Sequence, residues 1–161
     1  MKLYFLRHAD ALPAERPDLD DDRPLSPKGH KQAKSIAEFL QEIGVEFDTA
    51  YSSPLLRARQ TAEGILPITN DNVWVKLEIV EELRNETSSA AFEKWLRTLP
   101  REKHILLVGH NPSLSERVAR LLRVANAESF HMPKGGLACL ETDDWRTVTL
   151  EFFVSPKMLV D

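Results

Sequence analysis

The sequence predicts a three-layer α/β/α sandwich, with a mostly parallel central sheet and helices on both faces. Three observations carry that expectation. Short continuous apolar runs, LYFLR (3–7) and HILLVGH (104–110), suit strands covered on both sides. Helix-start signals follow the strand-like runs, most clearly at Ser26-Pro27, Ser53-Pro54 and Pro112. Strand and helix patterns then alternate until the last third of the chain, as a sheet wound with crossover helices requires.

Taken in order, residues 3–7 form the first strand, and LPAERPDLDDDRPL (12–25), rich in proline and aspartate, forms a loop. Ser26 caps a helix that Pro27 opens; Ala33, Ile36, Ala37, Leu40 and Ile43 make its apolar stripe and Gly44 stops it. FDTAY (47–51) is a short strand ending at Ser52. Ser53-Pro54 repeats the capping device and starts a second helix that runs to about Gly64. VWVKL (73–77) reads as a strand, and residues 88–98 as a helix turning Phe92, Trp95, Leu96 and Leu99 inward. After the strand 104–110, Pro112 begins a helix helped by the capping-box pattern Ser113-x-x-Glu116. LACLE (137–141) and TVTLEFFV (147–154), separated by Asp143-Asp144, form a hairpin. With no repeat, low-complexity tract or linker, residues 1–161 are expected to form a single domain.

Composition narrows the functional classes. The formal charge of −4 offers no general attraction for nucleic acid or an anionic membrane, so an anion site must be a local concentration of arginine and histidine. The N-terminal apolar run is too short for a signal peptide, and no window approaches a membrane span. With Cys139 the only cysteine, no intrachain disulfide can form, and a cytoplasmic setting is the expectation.

The unusual residues stand at strand ends. In parallel sheets ligands gather beyond the carboxyl ends of strands, and there lie Arg7, His8 and His110. Arg7 has a rigid donor fork for phosphate or carboxylate, although a salt bridge to the acidic loop is an equal reading. A neutral imidazole at His8 makes a nucleophile once its other nitrogen is held. Arg57, near the start of the second helix, adds a full charge where free N–H groups already favour anions. A metal centre of His8, Asp10, His104 and His110 is disfavoured, since His104 and His110 stand at opposite ends of one strand, about 20 Å apart. No phosphate-cradling glycine loop or nucleic-acid reader is present.

These segments resemble the histidine phosphatase (phosphoglycerate mutase-like) superfamily. LYFLRHADA resembles its Arg-His-Gly signature, YSSPLLRARQTAE its second-arginine segment and LLVGHNPSL its second-histidine segment. RPLSPKGHKQA and the closing FFVSPKML resemble the short bacterial members, most closely the SixA-type phosphohistidine phosphatases. The resemblance implies that His8 takes the phosphoryl group, that Arg7 and Arg57 clamp it, and that His110 supplies a second imidazole to its oxygens. It also implies a substrate contact at Arg23 and a proton donor at Glu82, in EIVEELRNET. The sequence departs from the emblem at Ala9, where most members have glycine, which limits how closely the backbone approaches phosphate.

The expected function is a metal-independent phosphatase that passes through an enzyme phosphohistidine, needs no cofactor and acts on phosphohistidine carried by a signalling or carrier protein. Two rivals stand beside it: a phosphatase or mutase for small phosphate esters, and a non-catalytic phosphate-binding module. An imidazole leaving group, with a pKa of about 6.5, needs far less protonation than an alkoxide, so a phosphohistidine substrate tolerates a weak acid at Glu82.

Overall fold

The computed structural model describes residues 1–159. Its sheet has six strands: β1 (Lys2–Arg7), β2 (Thr49–Ser52), β3 (Leu77–Ile79), β4 (His104–Gly109), β5 (Leu137–Glu141) and β6 (Thr149–Val154). Their spatial order is β3-β2-β4-β1-β5-β6. The first four are mutually parallel, whereas β5 runs antiparallel to β1 and forms the expected hairpin with β6.

Four helices cover the sheet: α1 (Pro27–Glu42), α2 (Leu56–Thr69), α3 (Ser89–Leu96) and α4 (Ser113–Leu121). Strand side chains alternate between two apolar layers. Tyr4, Leu6, Leu106 and Val108 pack with Ile36 and Leu40 of α1 and Ala62 and Ile65 of α2. Leu3, Phe5, Ile105 and Leu107 pack with Phe92 and Leu96 of α3 and Leu114 and Val118 of α4. The three-layer α/β/α sandwich read from the sequence is therefore the observed architecture. No helix among the described residues is long and apolar enough to cross a membrane.

Helix α1 starts as its sequence indicates. Ser26 Oγ accepts from the Gly29 N–H at 3.0 Å and also donates to the Asp10 carboxylate at 2.6 Å. A β-carbon on Gly29 would lie 1.9 Å from the Asp10 carbonyl oxygen, so glycine permits the helix to approach the strand-end loop. Gly44, at φ 78°, stops the helix, but Ile43 is exposed rather than part of the stripe.

Other boundaries differ, for identifiable reasons. Gly64 does not end α2; a β-carbon there would sit 3.4 Å from Ala33, so this glycine lies where α1 and α2 pack and the helix continues to Thr69. Ser53 does not cap α2, which starts three residues later with no side-chain cap. Only the end of VWVKL is strand: β2 offers partners from Leu77 onward, leaving Trp74 81% exposed. The Ser113–Glu116 capping box does not form either. Asn85 Oδ1 accepts from Ser113 N–H at 2.9 Å and Asn111 Oδ1 from Ser115 N–H at 3.2 Å, so one remote and one adjacent asparagine serve the start of α4.

Candidate active site

The strand register brings the two imidazoles together. In the parallel β1–β4 pair Arg7 stands opposite Gly109, and the ladder continues as His8 N–H donates to the Gly109 carbonyl at 3.0 Å. The next residue on each chain segment, His8 and His110, therefore emerge side by side, with ring centroids 5.1 Å apart. On the other flank of β4, Ser53 follows β2, and its N–H donates to Val108 O at 3.1 Å. Ser53 Oγ reaches His110 Nε2 at 2.5 Å. Three adjacent parallel strands thus end around one point.

Both imidazoles are oriented. His8 Nδ1 lies 2.7 Å from the Ala9 carbonyl, which can only accept, so Nδ1 carries the proton and the Nε2 lone pair is free. Ser53 Oγ accepts weakly from the Leu55 N–H at 3.4 Å, leaving its own proton for His110 Nε2. That network assigns the remaining His110 proton to Nδ1, a buried atom with no partner in the protein. Burial is the main reason both pKa values fall, His8 to about 4 and His110 to about 3; for His8 the Ala9 hydrogen bond opposes it, while Arg57 and Arg7 reinforce it. Both rings are neutral at pH 7.

The arginines close the site from two further directions. Arg7 Nη1 donates to the Met132 carbonyl at 2.9 Å, which fixes the guanidinium beside the end of β1. Arg57, the second residue of α2, is 7% exposed and donates from Nη1 to Asp20 O at 2.8 Å and from Nη2 to Asp20 Oδ2 at 3.3 Å. The Nε atoms of both arginines are buried without a partner, as is His110 Nδ1. An oxyanion seated among these donors would satisfy groups that are otherwise costly to bury.

Residues 3–88 match the family model of the histidine phosphatase superfamily (branch 1). The chain belongs to that superfamily. An uncharacterized protein of Picosynechococcus sp. (strain PCC 7002) is 35% identical over 99% of this chain and 99% of its own. The phosphohistidine phosphatase SixA of Escherichia coli (strain K12) is 29% identical, covering 97% of this chain and 94% of that protein. The structure of the protein histidine phosphatase SixA complexed with tungstate aligns with a TM-score of 0.86 at 26% identity, over 99% of this chain and 100% of that one. As a member of this superfamily the protein is a phosphatase, a hydrolase of SixA-like fold.

Arg7, His8, Arg57 and His110, read separately from the sequence, are brought together. Arg23 lies at the rim: its Nε donates to Leu12 O at 2.7 Å and its Nη1 to Asp20 Oδ1 at 3.3 Å, so it touches the same carboxylate as Arg57. Glu82, in a 3-10 turn after β3, is half-buried and makes no hydrogen bond or ion pair among the described residues. Ala9 is fully buried and its N–H donates to Thr61 Oγ1 at 3.0 Å, so the family's glycine position serves here to tie β1 to α2.

Sequence reasoning missed Asp20, Ser53 and Thr61. Asp20 was one of several aspartates in an acidic loop; its 3-10 turn (Pro17–Asp22) folds it onto Arg57. Burial pushes its carboxyl pKa up, but Arg57 and Arg23 outweigh that and hold it below the usual carboxylate range. Ser53 did carry a signal, a buried-strand terminus followed by proline, but the signal equally describes a helix cap.

Proposed function

We propose that this phosphatase removes phosphate from phosphohistidine on a protein, with His8 as the nucleophile. The observation that carries the reading is the tautomer of His8. Its proton is committed to the Ala9 carbonyl, so the free Nε2 lone pair faces a site bounded by Arg7, Arg57 and His110.

His8 Nε2 attacks phosphorus in line, a new N–P bond forms and the N–P bond of the substrate histidine breaks. The departing imidazole keeps the bonding pair and takes a proton from solvent or from Glu82. Charge on the equatorial phosphoryl oxygens is met by Arg7, Arg57 and the His110 Nδ1–H. Water then attacks the phosphohistidine, the His8 N–P bond breaks with its electron pair returning to Nε2, and orthophosphate leaves with the oxygen and one proton of that water, the other proton passing to solvent. Preorganised cations supply the electrostatic stabilisation, and the neutral state of His8 at pH 7 keeps its nucleophile available.

Two features favour a phosphohistidine substrate over a phosphate ester. Similarity extends along nearly the whole chain to a protein whose name is phosphohistidine phosphatase SixA. Glu82 makes no hydrogen bond among the described residues that would orient it as a proton donor, and an imidazole leaving group needs such a donor less than an alkoxide does. The test offers the protein a phosphohistidine-carrying polypeptide and a panel of phosphate esters. A kcat/KM at least about a hundredfold higher on phosphohistidine is the expected result, with an acid-labile phosphoryl group trapped on the wild type and absent from His8→Ala. Faster turnover of sugar phosphates or phosphoglycerate, lost in Glu82→Gln, would instead favour an esterase or mutase.

A further inference from the structure

The chain is acidic overall, with a formal charge of −4, yet one side of the mouth of the active site is basic. A cavity of about 380 Å³ opens beside Arg7, lined by Lys28, Lys134 and Lys157. A second, also about 380 Å³, shares Lys28, Gln32, Pro156 and Lys157 with it and adds Lys31 and Ser35. Together they form one groove between α1 and the C-terminal segment. Lys28 and Ser35 are seven residues apart on α1, so the groove runs about 10 Å along the helix.

Among the described residues its charge is unbalanced. The one carboxylate among them that lines it, Asp10, is already held by Lys134 Nζ at 3.0 Å and Ser26 Oγ at 2.6 Å. Lys28, Lys31 and Lys157 are exposed and pair with no carboxylate among the described residues, unlike Lys34, which meets Glu38 on the same helix. The aspartates of the neighbouring 3-10 turn are, by contrast, already paired: Asp20 with Arg23 and Arg57, and Asp21 with Arg84.

We propose that this lysine groove docks an acidic stretch of the phosphohistidine-carrying protein, on one side of the modified histidine; the inference rests on the substrate reading above. The lysines line the two joined cavities on long, flexible stems. Such an arrangement suits several carboxylates of a polypeptide, whereas a second phosphate on a small substrate calls for a fixed, convergent fork like that of arginine. The unpaired lysine charge raises the rate of encounter with such a partner.

The test uses two synthetic phosphohistidine peptides that differ only in flanking residues, glutamate in one and lysine in the other. At low ionic strength the wild type is expected to favour the glutamate peptide by about tenfold in kcat/KM, and the preference should fade as salt approaches about 0.5 M. Charge reversal in K28E/K31E/K157E should invert the preference, while hydrolysis of phosphoramidate, which brings no polypeptide to the groove, checks that the variant's active site is intact. If the variant fails that check, the salt dependence of the wild type still decides. Equal kcat/KM on both peptides, or a preference indifferent to salt, overturns the groove and leaves the phosphohistidine reading standing. Cleavage of neither peptide, alongside rapid hydrolysis of phosphate esters, overturns the substrate reading and the groove with it.

Discussion

Strand β4 carries a histidine at each end, and the two have different circumstances. His104 begins the strand, half-exposed, with Nδ1 against the Tyr4 hydroxyl at 2.7 Å and its backbone N–H donating to Asp48 Oδ2 at 2.8 Å. His110 follows the strand's last residue, 3% exposed, between Ser53 and His8 and with Nδ1 unpartnered. One imidazole is engaged by the Tyr4 hydroxyl of β1; the other has a buried donor left without a protein partner. What separates them is the end of a parallel sheet at which each stands. At the carboxyl end, neighbouring strands hand over to helices and loops, so residues from β1, α2 and β4 meet around unpaired donors; at the amino end, Tyr4 and Asp48 already occupy His104.

Removing the catalytic imidazoles and the structural one should separate these roles most widely. His8→Ala is expected to lower turnover of a phosphohistidine peptide by about 10⁴-fold or more, because the step that forms the enzyme intermediate is lost. His110→Ala should cost about 10²–10³-fold, the range for one preorganised donor to a transferring group. His104→Gln should stay within about threefold in kcat/KM and lower the unfolding free energy by about 1 kcal/mol, the worth of its bond to Tyr4. The measurement is steady-state kinetics alongside urea unfolding. A loss of activity in His104→Gln matching that of His110→Ala would break the distinction between the two strand ends.

The same contrast explains what the sequence could reveal. The apolar runs announced β1 and β4, and the charged or titratable residues just past them, Arg7, His8 and His110, announced the site, because strand direction alone decides where those residues emerge. Ser26 was legible as a cap since its partner, Gly29, is three residues away. Asp20, Met132 and Ser53 were not legible as site residues. Their partners Arg57, Arg7 and His110 lie 37, 125 and 57 positions away, and only the closed fold brings them within reach. Gly64 was misread for a related reason: a local breaker signal was overruled by a helix–helix contact with Ala33 that no local pattern encodes.

Burial of neutral imidazoles predicts an intermediate effect, on stability against pH. Folding depresses the His8 pKa from 6.5 to about 4 and that of His110 to about 3. Below pH 6.5 the unfolded chain therefore binds more protons than the folded one, and stability must fall with pH until the folded groups also titrate. The contribution of these sites is complete above about pH 6.5 and lost progressively toward pH 4, by on the order of 3 kcal/mol for each imidazole. His104 is lowered in the same direction by its own burial. Urea unfolding from pH 8 to pH 4 should show the decline, and His8→Asn should make it shallower, leaving the part due to His110. A wild-type curve flat across that window would mean that the imidazoles are hydrated in the folded state.

The smallest expected effect isolates what orients His110. Ser53 Oγ lies 2.5 Å from Nε2, so Ser53→Ala removes that hydrogen bond, together with the weak one that Oγ accepts from the Leu55 N–H at 3.4 Å, and leaves every cation in place. Without it, the ring can place its proton on either nitrogen, and only the tautomer protonated at Nδ1 points a donor at the phosphoryl oxygens. Losing a single neutral hydrogen bond of about 1 kcal/mol corresponds to a decrease of about fivefold in turnover, read as a fall in kcat with little change in KM. Ser53→Thr keeps the hydroxyl and should recover most of the rate. An equal loss in both variants would mean that packing at the end of β2, rather than the proton that Ser53 gives to His110, is what the site requires.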